Sequence, residues 1–242
     1  MRQVAKYYAI LGKQTFTPLD LSPALWLDAA DATTITASSG AVSEWRDKSG
    51  NARHVSQGTA ARQPTTGTRT QNGLNVLDFD GGDRLVRADA AALRPSTATV
   101  FAVVKLPDAP LSGVKSILAN GNDIDYATNN YIFGINSASM AVLGRTPSAI
   151  VSGSALSAST SYVLEWVHSG SDVTARANGT LNINAAASTL GTDNTQGVFV
   201  GGDNISAYLW TSTIAEIIFY GSQLSASDLT KVRDYLTTKW GL

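Results

Sequence analysis

The chain contains no cysteine in 242 residues. That excludes a disulfide framework and a thiolate metal site, and leaves packing as the source of stability. Histidine is scarce too, with only His54 and His168, and neither sits in a motif that pairs it with a serine nucleophile. Charged residues make up 15% of the chain and the formal net charge is -1. Such a chain has no basic field to attract a phosphate backbone, so nucleic acid is not an expected partner. No run of about 18 apolar residues occurs, so no membrane span is expected. The apolar stretch Tyr7 to Leu11 is shorter than a signal-peptide core of roughly 7 to 15 residues, so the expectation is a cytoplasmic product with no signal peptide. Walker-type phosphate loops, dinucleotide fingerprints and nucleophile elbows are likewise missing.

What is present is 43% apolar residues in short runs, parted by Gly, Asn, Asp and Ser clusters. This is the text of many strands joined by turns. Candidate strands are Leu25 to Asp28, Asn75 to Phe79, Thr97 to Leu106, Val114 to Leu118, Tyr131 to Ile135, Ser139 to Leu143, Tyr162 to His168, Val173 to Ala177, Val198 to Gly201 and Ile214 to Tyr220. So many strands predict a sandwich or barrel. Val173, Ala175 and Ala177 alternate with polar residues up to Asn178-Gly179, and Leu181 and Ile183 resume the alternation. Asn-Gly tolerates the positive φ of a tight turn, so this segment predicts a β-hairpin. The Asn-x-Ser/Thr patterns at Asn178 and Asn204 read as turns rather than glycosylation sites. Near the end, Ser225 is placed to cap a helix, Leu224 and Leu229 to staple its start, and Leu229, Val232, Leu236 and Trp240 to form one buried stripe before Gly241. Residues Met1 to Ser22 show neither period. They are read as an N-terminal arm, carried mainly by Arg2, Lys6, Tyr7, Tyr8, Ile10, Leu11 and Phe16, preceding one domain from residue 23 to residue 242.

Three segments occur in order: Leu21-Ser22-Pro23-Ala24-Leu25-Trp26-Leu27-Asp28-Ala29, then Val42 to Asn51 with Trp45, then Gly73 to Gly81 with Phe79. Together with Ile214 to Tyr220 and the closing Lys239-Trp240-Gly241-Leu242, they resemble the concanavalin A-like lectin/glucanase superfamily in its laminin G-like branch. The resemblance spans about residues 21 to 242. It implies an all-β fold: a two-sheet antiparallel jelly-roll sandwich with a short C-terminal helix. Small proteins with this opening resemble virion proteins of tailed bacteriophages. That resemblance implies a location in the virion, as a capsid decoration, fibre or tail component, with the arm bound to capsid or tail proteins. Trp26 and Trp45 are natural core anchors.

Fold does not fix function, so the residues must carry it. Glycosidases set two carboxylates about 5 Å apart across a sugar. Asp123-Ile124-Asp125 has the spacing but lacks a third acid and sits in a turn-rich stretch, so the expectation is that the chain is not an enzyme. Asp80 and Asp83 are either solvated strand-end acids or donors to Ca²⁺, which takes six to eight oxygens; no other cofactor is expected. A sugar site needs an aromatic face beside amides and hydroxyls. Asp203, Asn204, Tyr208 and Trp210 form one such cluster and Tyr126, Asn130 and Tyr131 a second, unless these aromatics belong to the core. The leading expectation is a non-enzymatic virion module that touches host-surface polysaccharide. The alternative is a free carbohydrate-binding, lectin-like module, with a glycosidase third. Sheet edges leave a homo-oligomer open.

Overall fold

The computed structural model describes residues 15–108, 112–121, 131–137, 139–143, 150–190 and 196–242. Among these residues there are seventeen strands and one α-helix. In chain order the strands are β1 (Leu25–Asp28), β2 (Ile35–Ser38), β3 (Ala41–Trp45), β4 (Val55–Ser56), β5 (Thr65–Gln71), β6 (Leu74–Asp78), β7 (Leu85–Arg87), β8 (Ala98–Lys105) and β9 (Val114–Asn120). There follow β10 (Tyr131–Asn136), β11 (Ser139–Leu143), β12 (Ile150–Ala155), β13 (Ser161–His168), β14 (Asp172–Ala177), β15 (Thr180–Ala187), β16 (Val198–Val200) and β17 (Thr213–Tyr220). The helix α1 spans Ala226–Trp240.

All strand pairings are antiparallel, and they sort into two sheets. One runs β1-β17-β8-β13-β14-β15. The other runs β2-β3-β4-β7-β16-β9-β10-β11-β12. The hairpin β5-β6 bridges them, pairing with β3 through Thr65 and with β17 through Leu77 and Asp78. The fold is thus the all-β antiparallel sandwich that the sequence predicts.

Strand side chains alternate between faces, and the core follows that alternation. Leu25 and Leu27 of β1, Ala102 and Val104 of β8, Leu164 and Trp166 of β13, and Ile217 and Phe219 of β17 point inward. They meet Trp45, Leu85, Ile117, Tyr131, Phe133 and Val200 of the facing sheet in one buried cluster. Phe133 lies between Tyr131, at a centroid distance of 5.0 Å, and Trp166, at 5.7 Å. Full burial of each large side chain contributes about 1.5–3 kcal/mol.

The opposite face of the first sheet would be exposed if nothing covered it. Trp26, Phe101, Val103, Val163, Ile218 and Tyr220 lie there, under Val232, Leu236 and Trp240 of α1. The helix begins as the sequence predicts: the Ser225 side chain accepts from the Asp228 N–H at 3.2 Å. It ends at Gly241, whose φ of 67° is left-handed and favours glycine. Phe16 and Leu21 join the same apolar layer, and Phe16 meets Tyr235 edge-on at 6.4 Å. The other arm residues named above, Arg2, Lys6, Tyr7, Tyr8, Ile10 and Leu11, lie outside the described residues.

The outer edge of β1 is closed by side-chain and backbone groups of residues 47–51. Asp47 Oδ1 accepts the Trp26 N–H at 3.0 Å, the Asn51 amide donates to the Pro23 carbonyl at 3.1 Å, and the Lys48 N–H donates to the Trp26 carbonyl at 2.7 Å. An edge strand saturated in this way offers little to a second chain.

Candidate functional site

Of the two aromatic clusters predicted from the sequence, the described members, Tyr131 and the segment from Asp203 to Trp210, border β9. Asn120 of β9 pairs with Tyr131 on one side and with Val198 on the other, and the Asn204 N–H donates to the Gly121 carbonyl at 3.3 Å. Their aromatics, however, are mostly committed to the core. Trp210 is 0% exposed and packs between the sheets, and Tyr131 is 0% exposed with its hydroxyl bonded to the Leu93 carbonyl at 2.9 Å. Neither ring can stack on a sugar, which corrects the reading of both as glycan contacts. Each has more apolar area to bury than a turn could leave in water. Tyr208 is partly buried against Ala119 and Ile132. Asp203 is buried, and its Oδ1 accepts the Ala207 N–H at 2.8 Å. Arg84 pins the same loop, donating from Nη1 to the Asn204 carbonyl at 3.0 Å and the Ser206 hydroxyl at 2.7 Å. Asp203 is therefore a loop organiser. Tyr126 and Asn130, with the Asp123-Ile124-Asp125 triplet, lie outside the described residues.

Asp80 and Asp83 form a turn. Asp83 Oδ2 accepts the Asp80 N–H at 2.9 Å and Asp80 Oδ1 accepts the Gly82 N–H at 2.7 Å. Burial pushes the Asp83 carboxyl up to about 6, the hydrogen bond from the Asp80 N–H opposing the rise and the Asp80 carboxylate adding to it. Among the described residues, no three His, Cys, Asp or Glu side chains group in a way that could hold a metal ion.

A groove that the sequence reading did not single out lies where β12 and β15 bring the two sheet edges together. It encloses about 410 Å³ and is lined by Ser154, Ala155, Leu156, Tyr162, Ala177, Asn178, Thr180, Leu181 and Asn182. This volume lies within the roughly 300–1,000 Å³ of small-molecule sites. Each wall has a local cause. The Asn178-Gly179 turn, with φ of 48° and 78°, folds β15 back on β14 and raises Asn178 to the lip. Asn178 is fastened there by its Oδ1, which accepts the Val163 N–H at 2.8 Å. Tyr162 is half-buried against the core, and its hydroxyl accepts the Ser157 N–H at 3.0 Å, which fixes the ring along one wall. Leu181 is 47% exposed at the rim. Asn182 donates from Nδ2 to the Ser154 carbonyl at 3.0 Å, while its Oδ1 is buried without a hydrogen-bond partner. Gly153 leaves room for that side chain, since a methyl there would overlap it.

The ionisable groups of the first sheet lie on its other face. A bulge in the register of β17 between Ile214 and Glu216 turns Glu216 outward beneath α1. Its carboxylate accepts Trp26 Nε1, Trp240 Nε1 and Lys239 Nζ, each at 2.7 Å, and the Tyr235 hydroxyl at 3.1 Å. Lys239 Nζ also reaches Asp28 Oδ1 at 2.6 Å, and Lys48 joins Asp28 to Asp31 at 2.9 Å each. Burial pushes the Glu216 carboxyl up, and Asp28 adds to this while Lys239 opposes it. Hydrogen bonding to the Thr33 side chain, then to Lys48, holds Asp31 down at about 2. A few residues along the helix, buried Glu165 takes Arg233 at 2.6 Å and Arg176 at 3.2 Å. With no solvent access at Glu216 and every acceptor in use, this network fastens helix to sheet.

Known structures share the fold. The sialidase of Trypanosoma rangeli in complex with sialic acid superimposes with a TM-score of 0.61 at 15% identity over 90% of this chain and 33% of that chain. The same sialidase with the inhibitor DANA gives a TM-score of 0.58 at 14% identity, covering 96% of this chain and 37% of the other. Domain 4 of AbnA, a GH43 extracellular arabinanase from Geobacillus stearothermophilus, in complex with arabinotriose, gives 0.60 at 13% identity over 88% of this chain and 98% of that one. This chain therefore spans about a third of the sialidase chains but nearly all of the arabinanase domain. No family model matches the sequence, and no curated protein matches it. The expectation of a non-enzymatic chain is corrected by these neighbours, because its fold is shared by about a third of a sialidase chain and by a domain of an arabinanase.

Proposed function

We propose that this chain is a carbohydrate-binding β-sandwich module and that the groove between β12 and β15 is its sugar site. The observation that carries the reading is the juxtaposition of Tyr162 and Leu181 with Asn178, Thr180 and Asn182 in one 410 Å³ groove. A sugar ring has C–H faces that pack on an aromatic or aliphatic side chain, and a rim of hydroxyls that needs amides and hydroxyls around it. The groove supplies both. The complexes with sialic acid and arabinotriose seen for chains of this fold support the reading.

Screening the chain on a glycan array, followed by calorimetry on the best binders, tests it. Binding to at least one oligosaccharide is expected, with the affinity reduced by about tenfold, or about 1.4 kcal/mol, in Tyr162→Ala. Binding unaltered in a folded Tyr162→Ala protein, or no binding to any glycan, would refute it. The finer reading from the sequence, a virion accessory anchored by residues 1–22, has no counterpart among the similar structures reported above. The free carbohydrate-binding module is preferred on that ground.

A further inference from the structure

We infer that the rim of the groove carries a subsite for an acidic sugar, one bearing a carboxylate or a sulfate, formed by Arg176 and Arg233; this rests on the glycan-binding reading of the groove. Arg176 of β14 has two cross-strand partners, Glu165 of β13 on one side and Leu181 of β15 on the other. Directly opposite residues share a sheet face, so the arginine stands beside the exposed rim leucine. Arg233 reaches the same place from α1: its Cδ would lie 3.3 Å from a methyl added at Gly179, which sits between the groove residues Asn178 and Thr180. The turn that forms the lip of the groove therefore continues outward onto a pair of arginines.

Both guanidiniums meet on Glu165, whose side chain is 1% exposed. Arg233 covers Oε2 with Nε at 3.1 Å and Nη2 at 2.6 Å, and Arg176 Nη1 approaches Oε1 at 3.2 Å. One arginine suffices to neutralise that carboxylate and fasten the helix. The second leaves the trio with a surplus positive charge, and among the described residues no other carboxylate lies within ion-pair distance of either guanidinium. The arginine side chains are 31% and 21% exposed, so water and solutes reach both.

A guanidinium carries five N–H donors. Arg233 Nη1 and Arg176 Nε and Nη2 make no hydrogen bond among the described residues. Such donors suit an oxoanion, which accepts parallel hydrogen bonds from one guanidinium fork. The surroundings point to a sugar as the bearer of that anion. The net charge of -1 provides no broad basic field for a polyanion, while Leu181 and Asn178 set an apolar contact and an amide next to the local charge, the combination that a pyranose with one charged substituent needs. A neutral ring in the groove and an acidic ring at the arginines would then belong to one oligosaccharide.

The test is calorimetry on matched sugars, lactose against sialyllactose and sulfated lactose, and galactotriose against trigalacturonate, each at low and at high salt. Three folded proteins are compared: the unmodified chain, Arg176→Gln, which leaves the Arg233–Glu165 pair whole, and Tyr162→Ala. The expected result is that an acidic sugar binds about five- to tenfold more tightly than its neutral counterpart at low salt, and that salt narrows the difference. Arg176→Gln should remove the acidic advantage and leave neutral affinity within about twofold, whereas Tyr162→Ala should weaken both members of the pair. A preference for the carboxylates alone, or for the sulfated sugar alone, supports the subsite and assigns its oxoanion. Equal binding of acidic and neutral sugars, or an acidic preference that persists in Arg176→Gln, would overturn the subsite and leave the groove standing. Acidic binding lost in Arg176→Gln yet untouched in Tyr162→Ala would overturn the groove and leave the arginine subsite standing. No binding across the panel would overturn both.

Discussion

Replacing Lys239 with methionine tests the electrostatic clamp between α1 and the first sheet. The ammonium sits 2.6 Å from Asp28 and 2.7 Å from Glu216, whose side chains are 5% and 0% exposed. Methionine fills much of the same volume, so the loss is chiefly charge. Removing one partner from a buried ion pair costs about 3–5 kcal/mol because the other charge is left unpaired. For a domain of this size about 1 kcal/mol moves the thermal midpoint by about 2–4 °C, so a fall of roughly 6–20 °C is expected. Urea unfolding followed by tryptophan fluorescence gives the free energy directly, with Trp26 and Trp240 reporting from the site itself. Folding raises the Glu216 carboxyl above its ordinary value of 4.5, so its ionisation costs stability. That cost is absent below the unfolded value and complete once the pH exceeds the folded one. Without Lys239, which opposes the rise, the folded value climbs further. The defect of Lys239→Met should therefore shrink as the pH falls from neutral toward 4.5. Adding Glu216→Gln should restore part of the loss at neutral pH. A loss under about 1 kcal/mol, or a defect that is flat with pH, would refute the clamp.

Other consequences follow from single residues. Asp83→Asn should stabilise the protein at pH 7 by about 1–3 kcal/mol, since burial holds the Asp83 carboxyl up at about 6 and ionising it in the fold carries that cost. The gain should vanish as the pH falls through the window from 6 to 3.8, and parallel stability curves for the two proteins across that window would contradict it. At Gly201, with φ of 75°, an added methyl meets the Phe79 ring. Gly201→Ala should cost about 2–4 kcal/mol in chemical denaturation from strain and overpacking together; an unchanged midpoint would show that Phe79 has room to move. Arg84→Met removes the donor to Asn204 and Ser206, and should speed amide hydrogen exchange across residues 203–208 without altering glycan affinity. Protection unchanged in that loop would reassign its order to other contacts.

Much of the fold was legible because its strands carry their signal locally. The predicted strands Leu25–Asp28 and Ser139–Leu143 coincide with β1 and β11, and the other eight fall within two residues of observed strands at either end. The hairpin at Asn178-Gly179 and the helix from Ser225 to Gly241 were equally plain, since turn and cap chemistry reside in two or three residues. The strands that escaped were short or polar. β5 reads Thr-Thr-Gly-Thr-Arg-Thr-Gln, with neither an apolar period nor an apolar run. It is a strand because β6 pairs with it through Thr65, Thr66, Thr70 and Gln71, a long-range cause that no local window contains. β4, at two residues, exists only by lying between β3 and β7.

The groove was hidden for a related reason. Its residues come from β12, β13 and the β14-β15 hairpin, spread from Ser154 to Asn182, and none has an unusual local pattern. Searching for aromatics beside Asn and Asp in sequence favoured Trp210 and Tyr131, and favoured them wrongly, because the side chains best able to stack on sugar are also those with most to gain from the core. Tyr162 differs from Tyr131 only in position. Tyr131 pairs with Asn120 of β9 and its ring points between the sheets, closed in by Phe133 and Phe219. Tyr162 lies one residue from the start of β13, beside the turn at Asn178 and across from the end of β12, where it is only half-buried. One clue was available beforehand. Leu181 follows a tight turn by two residues, so its strand has barely begun and the sandwich cannot yet cover it.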